Sequence, residues 1–511
     1  MKFLLGRITF IAWLAVASFG AEQATNSLLL GWHFAGGDGI RKQENLKTLN
    51  EVWNLPESES LRGKLLDHFA DYAAKRARTN QAALLVRPML EHLLQYESIF
   101  ELRGQSPDSM QWGFAVKIPE SKRNVWKENL RKLASLTELG APQVITRNDI
   151  KGQKWGKNEY NLYLVEDGDW IVVSGGEKSE PSTLATFKDT GKPFTESQLL
   201  ILQADLPGLA RWNRRTNDAL PQVALEASGR AENVRSEMKL RFAESTKLQV
   251  TPWKIPTNTI RAPLASLTAI QGIAPLLDQQ PWFKSLGIQP SPNQLFIWSE
   301  ATTLFSFFAA WETKNRDEIL ASLAEKVPQL NTNLQKRFIG QAEFNTRQEA
   351  LIWRGLPVIV PFLKKAQDEN FMVAGLFPTS NPSTNPPPQE LMQQLLNRKD
   401  LFYYDWEVTE SRLAQIRPIS QLKMLATGFD LPSPNSIALR WLLAIQPRLG
   451  NTITEGTLSG DKELTLSRKS HIGFNSLELW NLAHWIESEQ FPHAPKPKAP
   501  TRLPMAPVPA P

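Results

Sequence analysis

The sequence predicts an α+β protein: two similar units of antiparallel sheet, each with helices packed on one face, then a C-terminal helix and a disordered, proline-rich tail. Three observations carry this expectation. Short runs alternate apolar and polar residues between turn signals, as half-buried strands do. Stretches with apolar residues at helical spacing follow some of those runs. The runs also recur in the same order in the two halves of the chain, the signature of an internal duplication.

The elements follow in order. LLLGWHFAGGDGI from Leu28 and APLASLTAIQGIAPL from Ala262 each read as an apolar strand ending in a small-residue turn. A helical insertion covers about residues 58–96 of the first unit. Trp112 to Lys117 (WGFAVK) leads into a helix with Trp126, Leu130 and Leu133; Phe307 to Trp311 (FFAAW) leads into one with Ile319, Leu320, Leu323 and Val327. Leu162 to Val173 reads as a hairpin turned by Asp167-Gly168. LLILQADL (199–206) and LFYYDWEV (401–408) each precede a short helix, which matches Asp205 with Asp405. Hairpins are expected around Ser228-Gly229 and Ser459-Gly460. The second half carries its own insertion, around Asn435 to Leu449. A last amphipathic helix over 475–489 has Asn475 as N-cap and Leu477, Trp480, Trp485 and Ile486 as its apolar face. The expected domains are 1–20, 21–255, 256–490 with a proline-rich loop at 379–389, and the tail 491–511.

Composition bounds the function. MKFLLGRITFIAWLAVASFG places two cations before an apolar run and small residues after it, the form of a secretory signal cleaved after Gly20 or Ala17. No later window is apolar for 18 residues, so no transmembrane helix is expected in the mature chain. The formal charge of +6 comes mostly from the ends: Lys2 and Arg7 in the signal and Lys496, Lys498 and Arg502 in the tail leave about +1 for the body. Nucleic acid is therefore not an expected partner. The absence of cysteine excludes disulfides, thiolate nucleophiles and cysteine metal sites. The tail, with seven prolines in its last eighteen residues, reads as an extended arm.

Candidate chemistry is thin. No nucleophile elbow, HExxH, P-loop or dinucleotide fingerprint occurs. Gly36-Gly37-Asp38-Gly39 lacks the lysine and spacing of a phosphate loop and reads as a strand-to-helix turn. His68 with Asp71 one turn on, and His92 on the next helix, outline a metal site, against the commoner reading as packed or solvated histidines. His484 lies one turn after Trp480. Asp405 and Glu407 fall on one face of a strand, with Tyr404 and Trp406 on the other; they are either an acid–base pair for glycan hydrolysis or solvent-face acids. Glu166-Asp167-Gly168-Asp169 reads as a hairpin tip. Among 17 tryptophans, Trp32, Trp155 and Trp253 sit near glycine or proline and are the ones least explained by packing. No residue is assigned a catalytic, cofactor-binding or metal-binding role.

LGWHFAGGDGI (30–40) and VWNLPES (52–58), followed by the two sheet-bearing halves, resemble uncharacterised exported bacterial proteins with a signal peptide and a duplicated α+β unit. That resemblance implies architecture and a periplasmic or extracellular location, and it carries no activity. The expected function is a non-enzymatic envelope scaffold or binding protein, with an envelope protein or a glycan as partner and no cofactor. A glycan-acting hydrolase using acidic residues, or a carrier of an apolar ligand, are the alternatives.

Overall fold

The computed structural model describes residues 28–104, 111–137, 139–147, 150–157, 160–177, 194–212, 219–286, 288–301, 305–335, 340–355, 359–377, 385–427 and 435–493. The expected signal at 1–20, residues 379–384 of the expected loop and residues 494–511 of the tail lie outside the described residues. The chain divides into two compact units, one of Met1–Ser245, Lys423–Leu449 and Ser467–Pro511, the other of Thr246–Leu422 and Gly450–Leu466. Helices and a large antiparallel sheet make the protein α+β. No helix among the described residues is long and apolar enough to cross a membrane.

The first unit begins with β1 (Leu28–Phe34), four helices α1 (Gly36–Arg41), α2 (Lys47–Trp53), α3 (Pro56–Ala77) and α4 (Gln81–Gln95), then β2 (Ser98–Arg103) and β3 (Gln111–Lys117). After α5 (Glu120–Leu136) come β4 (Gln143–Arg147), β5 (Ile150–Lys157), β6 (Tyr160–Asp167) and β7 (Trp170–Glu177). β8 (Gln198–Asp205), α6 (Leu206–Trp212), β9 (Gln222–Arg230) and β10 (Asn233–Arg241) complete its first segment. All pairings are antiparallel, in the spatial order β4-β5-β6-β7-β3-β2-β1-β8-β9-β10. Helix α3 opens with Pro56 at its first position, where no N–H is needed, and closes at Arg78 with a left-handed φ of 55°. Apolar faces of α4 and α5 meet the sheet in a core of Met89, Val116, Trp126, Leu164, Ile171 and Val173.

The second unit runs β11 (Leu264–Gln271), α7 (Ala274–Asp278), α8 (Pro281–Leu286), β12 (Gln294–Glu300), β13 (Phe307–Glu312) and α9 (Arg316–Gln335). It continues through β14 (Gln341–Asn345), β15 (Ala350–Arg354), β16 (Phe362–Lys365), β17 (Phe371–Gly375), α10 (Gln389–Leu396), β18 (Leu401–Val408) and α11 (Thr409–Thr427). After α12 (Ile437–Ile445) of the first unit come β19 (Asn451–Gly460), β20 (Glu463–Ser470) and the last helix, α13 (Ser476–Glu487). Its order is β14-β15-β16-β17-β13-β12-β11-β18-β19-β20, again antiparallel wherever the register is described. Adding ten to each strand of the first unit reproduces this order without exception. Two cores flank the second sheet: Phe296, Trp298, Leu267 and Tyr404 face Leu391, Met392 and Leu395 of α10, while Ile270, Leu295 and Trp311 face Ile273, Phe283, Ile319 and Leu323 on α7 to α9.

Several turns differ from expectation. Ser228 and Gly229 lie within β9, and the β9–β10 connection is Ala231-Glu232, with φ of 50° and 63°. Both values suit the primed turn that a two-residue hairpin favours, reached here without glycine. Gly229 answers a packing demand instead: a Cβ there would meet Leu46 Cδ1 at 2.8 Å. Likewise Ser459 and Gly460 end β19, and the β19–β20 connection is Asp461-Lys462. The β6–β7 tip is Gly168-Asp169, one residue beyond the expected dipeptide.

Helix α13 is capped as its sequence suggests. Asn475 Oδ1 accepts the Glu478 N–H at 2.9 Å, and Glu478 Oε2 accepts the Asn475 N–H at 3.0 Å, a reciprocal capping box. Trp480, Trp485 and Ile486 are buried with Leu479 and Ala483, and Leu477 is half-buried. Removing the cap acceptor in Asn475→Ala should destabilise the first unit by about 1 kcal/mol; equilibrium chemical denaturation reads the shift, and an unchanged midpoint would assign the helix start to packing alone.

Candidate functional site

Strand β18 presents its side chains alternately to two buried faces. Tyr404, fully buried, joins the apolar core, with Trp406 packed against that core. Asp405 and Glu407 face the other way, at 2% and 0% exposure, so they are not the solvent-face acids that strand alternation suggests. The register sets hydroxyls around them: Thr268 and Thr454 stand opposite Asp405, and Ser266 and Thr452 stand opposite Glu407. Thr268 donates to Asp405 at 2.5 Å, Ser266 and Ser299 share a hydrogen bond at 2.8 Å, and Thr409 and Thr452 share another at 2.8 Å.

Arg412, in the first turns of α11, closes the cluster. Its Nη1 donates to Asp405 Oδ1 at 3.0 Å and to Glu407 Oε2 at 3.1 Å. Burial alone would lower the Arg412 pKa, but the two carboxylates hold it above the ordinary guanidinium value. Gln415, one turn on, donates to the Glu300 carbonyl at 2.6 Å. Burial pushes the Glu300 carboxyl above the ordinary carboxylate value. A general acid or base must reach its substrate within hydrogen-bond distance. These two acids are instead shut beneath a helix and share one cation, which suits a structural role.

The corresponding patch of the first unit is built from different residues. Trp32, fifth in β1, pairs with Leu202, as Thr268, fifth in β11, pairs with Asp405. The register therefore matches Asp405 with Leu202, and the expected Asp205–Asp405 correspondence is corrected. Asp205 is the last residue of β8, 3.8 Å from Arg211. Across the first sheet one continuous row runs Met238, Leu225, Leu202, Trp32, Phe100 and Phe114. All six are half-buried, and Trp32 stacks on Phe100 with centroids 4.3 Å apart. Sequence spacing could not reveal this row, because its members become neighbours only through strand order.

The other candidates resolve into packing. Trp155 (1% exposed) and Trp253 (6%) are core residues, against the expectation that packing explains them least. His92 Nδ1 accepts the Trp126 indole N–H at 3.0 Å, and His68 lies against Phe491, so the drawn metal ligands have separate apolar partners. Among the described residues no group of three His, Asp or Glu could hold a metal ion. Gly36 carries a φ of +75° and any Cβ there would collide with the Tyr96 carbonyl, which accounts for the glycine cluster sterically. Glu166 and Asp169 at the hairpin tip pair with Lys127 at 2.6 Å and Arg123 at 3.7 Å on α5. His484 packs edge-on against Trp480 at 4.4 Å, and burial lowers its pKa to about 4.

Replacing the cation in Arg412→Met leaves two buried carboxylates uncompensated and should cost the second unit about 3–5 kcal/mol. Adding Asp405→Asn and Glu407→Gln to that variant should restore part of the loss, as measured by denaturation; no restoration would contradict the charge argument. His484 titrates lower in the folded state than in the unfolded chain. Its contribution, on the order of 3 kcal/mol, is therefore complete above the unfolded pKa of 6.5 and is lost as pH falls from there toward about 4. Thermal unfolding across that window should show the decline, and His484→Gln should flatten it.

Comparison with protein-family models, with curated proteins and with solved structures gives no match to this chain.

Proposed function

We propose that this chain is a non-enzymatic binding or scaffold protein of the cell envelope, exported through its N-terminal segment and built by duplication of a ten-strand unit. The observation that carries the reading is the contrast at one matched place in the two sheets. The second unit fills it with a sealed ion cluster, and the first leaves an aromatic and aliphatic row half-buried. A fold that is held by one copy of a patch and keeps the other copy accessible to contacts suits binding. The strand order shared by the two units supports the duplication, and the signal form of residues 1–20 supports export. The resemblance to uncharacterised exported bacterial proteins agrees with both. The hydrolase alternative loses its support, because its acids, Asp405 and Glu407, are committed to Arg412.

The half-buried row favours one second reading, a carrier that holds an apolar ligand against the first sheet. An exposed or half-exposed contiguous apolar patch on a folded domain marks a binding surface more often than an accident of composition.

Export is tested by the intact mass of the chain recovered from a bacterial envelope fraction. Loss of residues 1–20 or 1–17 is the expected result, and a full-length cytosolic species overturns it. The carrier reading predicts lipid in an organic extract of the purified chain, and that lipid should fall severalfold in a Trp32→Ser/Leu202→Ser variant. An extract free of lipid removes the carrier reading and leaves the scaffold one standing.

A further inference from the structure

We propose that the first sheet carries a docking groove for an extended peptide of a partner protein, one in which an acidic residue follows a bulky apolar residue. The groove lies on the face opposite the Trp32 row, and its occupant is read from the second unit, where a strap of the chain itself fills the matched place. Gln249 to Pro256 form neither helix nor strand. The Thr251 N–H donates to Gln271 Oε1 and the Lys254 N–H to Gln294 Oε1, each at 2.9 Å, while Gln294 Nε2 donates to the Pro252 carbonyl at 2.9 Å. Gln294 thus holds the main chain on both sides of Trp253, whose ring meets Phe296 edge-on with centroids 5.8 Å apart. Lys254 Nζ completes the strap by pairing with Glu312 at 2.7 Å. Main-chain hydrogen bonds combined with seats for individual side chains are the general mode of extended-peptide recognition.

Strand register finds the same places in the first sheet. The row Trp32–Phe100–Phe114–Val173 runs as Thr268–Ile297–Ala309–Ala374 does, which matches Glu97 with Gln294, Ile99 with Phe296, Lys117 with Glu312, and Trp170 and Val172 with Phe371 and Val373. In the second unit, Gln294, Phe371 and Val373 are 6%, 6% and 4% exposed. Their counterparts Glu97, Trp170 and Val172 are only half-buried, and the Lys117 side chain is 48% exposed. Ile99 is buried as the floor, and Phe194, stacked on His33 at 3.9 Å, closes the groove at β1. The open stretch therefore lies over β2, β3 and β7.

The substitutions specify the occupant. Glu97 keeps an acceptor for a main-chain N–H, the service that Gln294 gives Lys254, although its carboxylate already meets His33 Nε2 at 2.8 Å and Lys117 Nζ at 3.5 Å. A carboxylate has about four lone-pair sites, so these two contacts leave room for another donor. Lys117 stands where Glu312 stands, which reverses the sign of the side chain it recruits: where the strap brings lysine, the partner brings aspartate or glutamate. Trp170 and Val172 form the apolar bed for the residue before it.

Two labelled synthetic peptides test this against the full chain by fluorescence anisotropy: residues 249–256 as they stand, and the same segment carrying Lys254→Glu. The glutamate peptide should bind about tenfold more tightly than the lysine peptide. Lys117→Gln in the full chain should remove that preference, and Lys117→Glu, at an exposed position that tolerates exchange, should reverse it. Trp170→Ala should weaken the glutamate peptide severalfold. Peptide that instead displaces the strap of the second unit would favour lysine and ignore Lys117, which counts against the proposal. A natural chain without the glutamate preference overturns it, as does a preference that survives in Lys117→Gln or Lys117→Glu, or the absence of saturable binding by either peptide. Lipid on the Trp32 row has no bearing on these outcomes, because the two surfaces lie on opposite faces.

Discussion

A strand covered on both faces has no solvent side to absorb an error of register, and β18 is such a strand. A slip of one residue would drive Asp405 and Glu407 into the aromatic core and expose Tyr404 and Trp406 to a lining of hydroxyls. The apolar side supplies the free energy of burial, while the ionic side adds discrimination, because a slip would take both carboxylates out of their lining of hydroxyls. β11 and β19 inherit their alignment from β18, and through β11 the order extends to β12 and β13. The alternation within LFYYDWEV is thus the alignment key of the second unit.

The first unit has the same strand order with a different central filling. Its row of Trp32, Phe100, Leu202 and Leu225 lacks charges, so register there rests on the shape and area of large side chains and on the helices that close the ends of the sheet. Apolar contact is non-directional, which makes it a weaker guide to register than a cation shared by two carboxylates and a better surface for a variable partner. The matched patch of the two sheets is thus filled by buried ions in one and by aromatic and aliphatic side chains in the other, with the strand order unchanged.

Much of the architecture was legible in the chain itself. WGFAVK, FFAAW, LLILQADL and LFYYDWEV all form strands close to the expected bounds, because period-two alternation and β-branched or aromatic content speak to local structure. Asn475 announced its own cap, since a capping box depends on residues three apart. What the residues left undecided was non-local. Ala231-Glu232 can turn a hairpin only because the flanking strands force a left-handed backbone on residues without that preference, and Gly229, which looks like the turn, is small for the sake of Leu46. Asp405 reads as exposed until Arg412 comes down on it from α11. Trp155 and Trp253 lie beside glycine and proline in sequence, yet each fills a core. The match of Asp205 with Asp405 relied on spacing in the chain, which insertions disturb, whereas strand register is immune to them.

The indole of Trp441 on α12 donates to the Ser58 hydroxyl on α3 at 3.0 Å, between residues 383 apart in sequence. Ser436 and Glu487 likewise join α12 to α13, the last helix among the described residues. On a ribosome the first unit therefore begins first and finishes last: its helical layer waits for Trp441 and α13, which emerge only after nearly all of the second unit has been made. Its early strands spend that interval with apolar surface uncovered, the condition under which partly made chains associate. Strand order repeats along the chain, but completion runs from the middle outward.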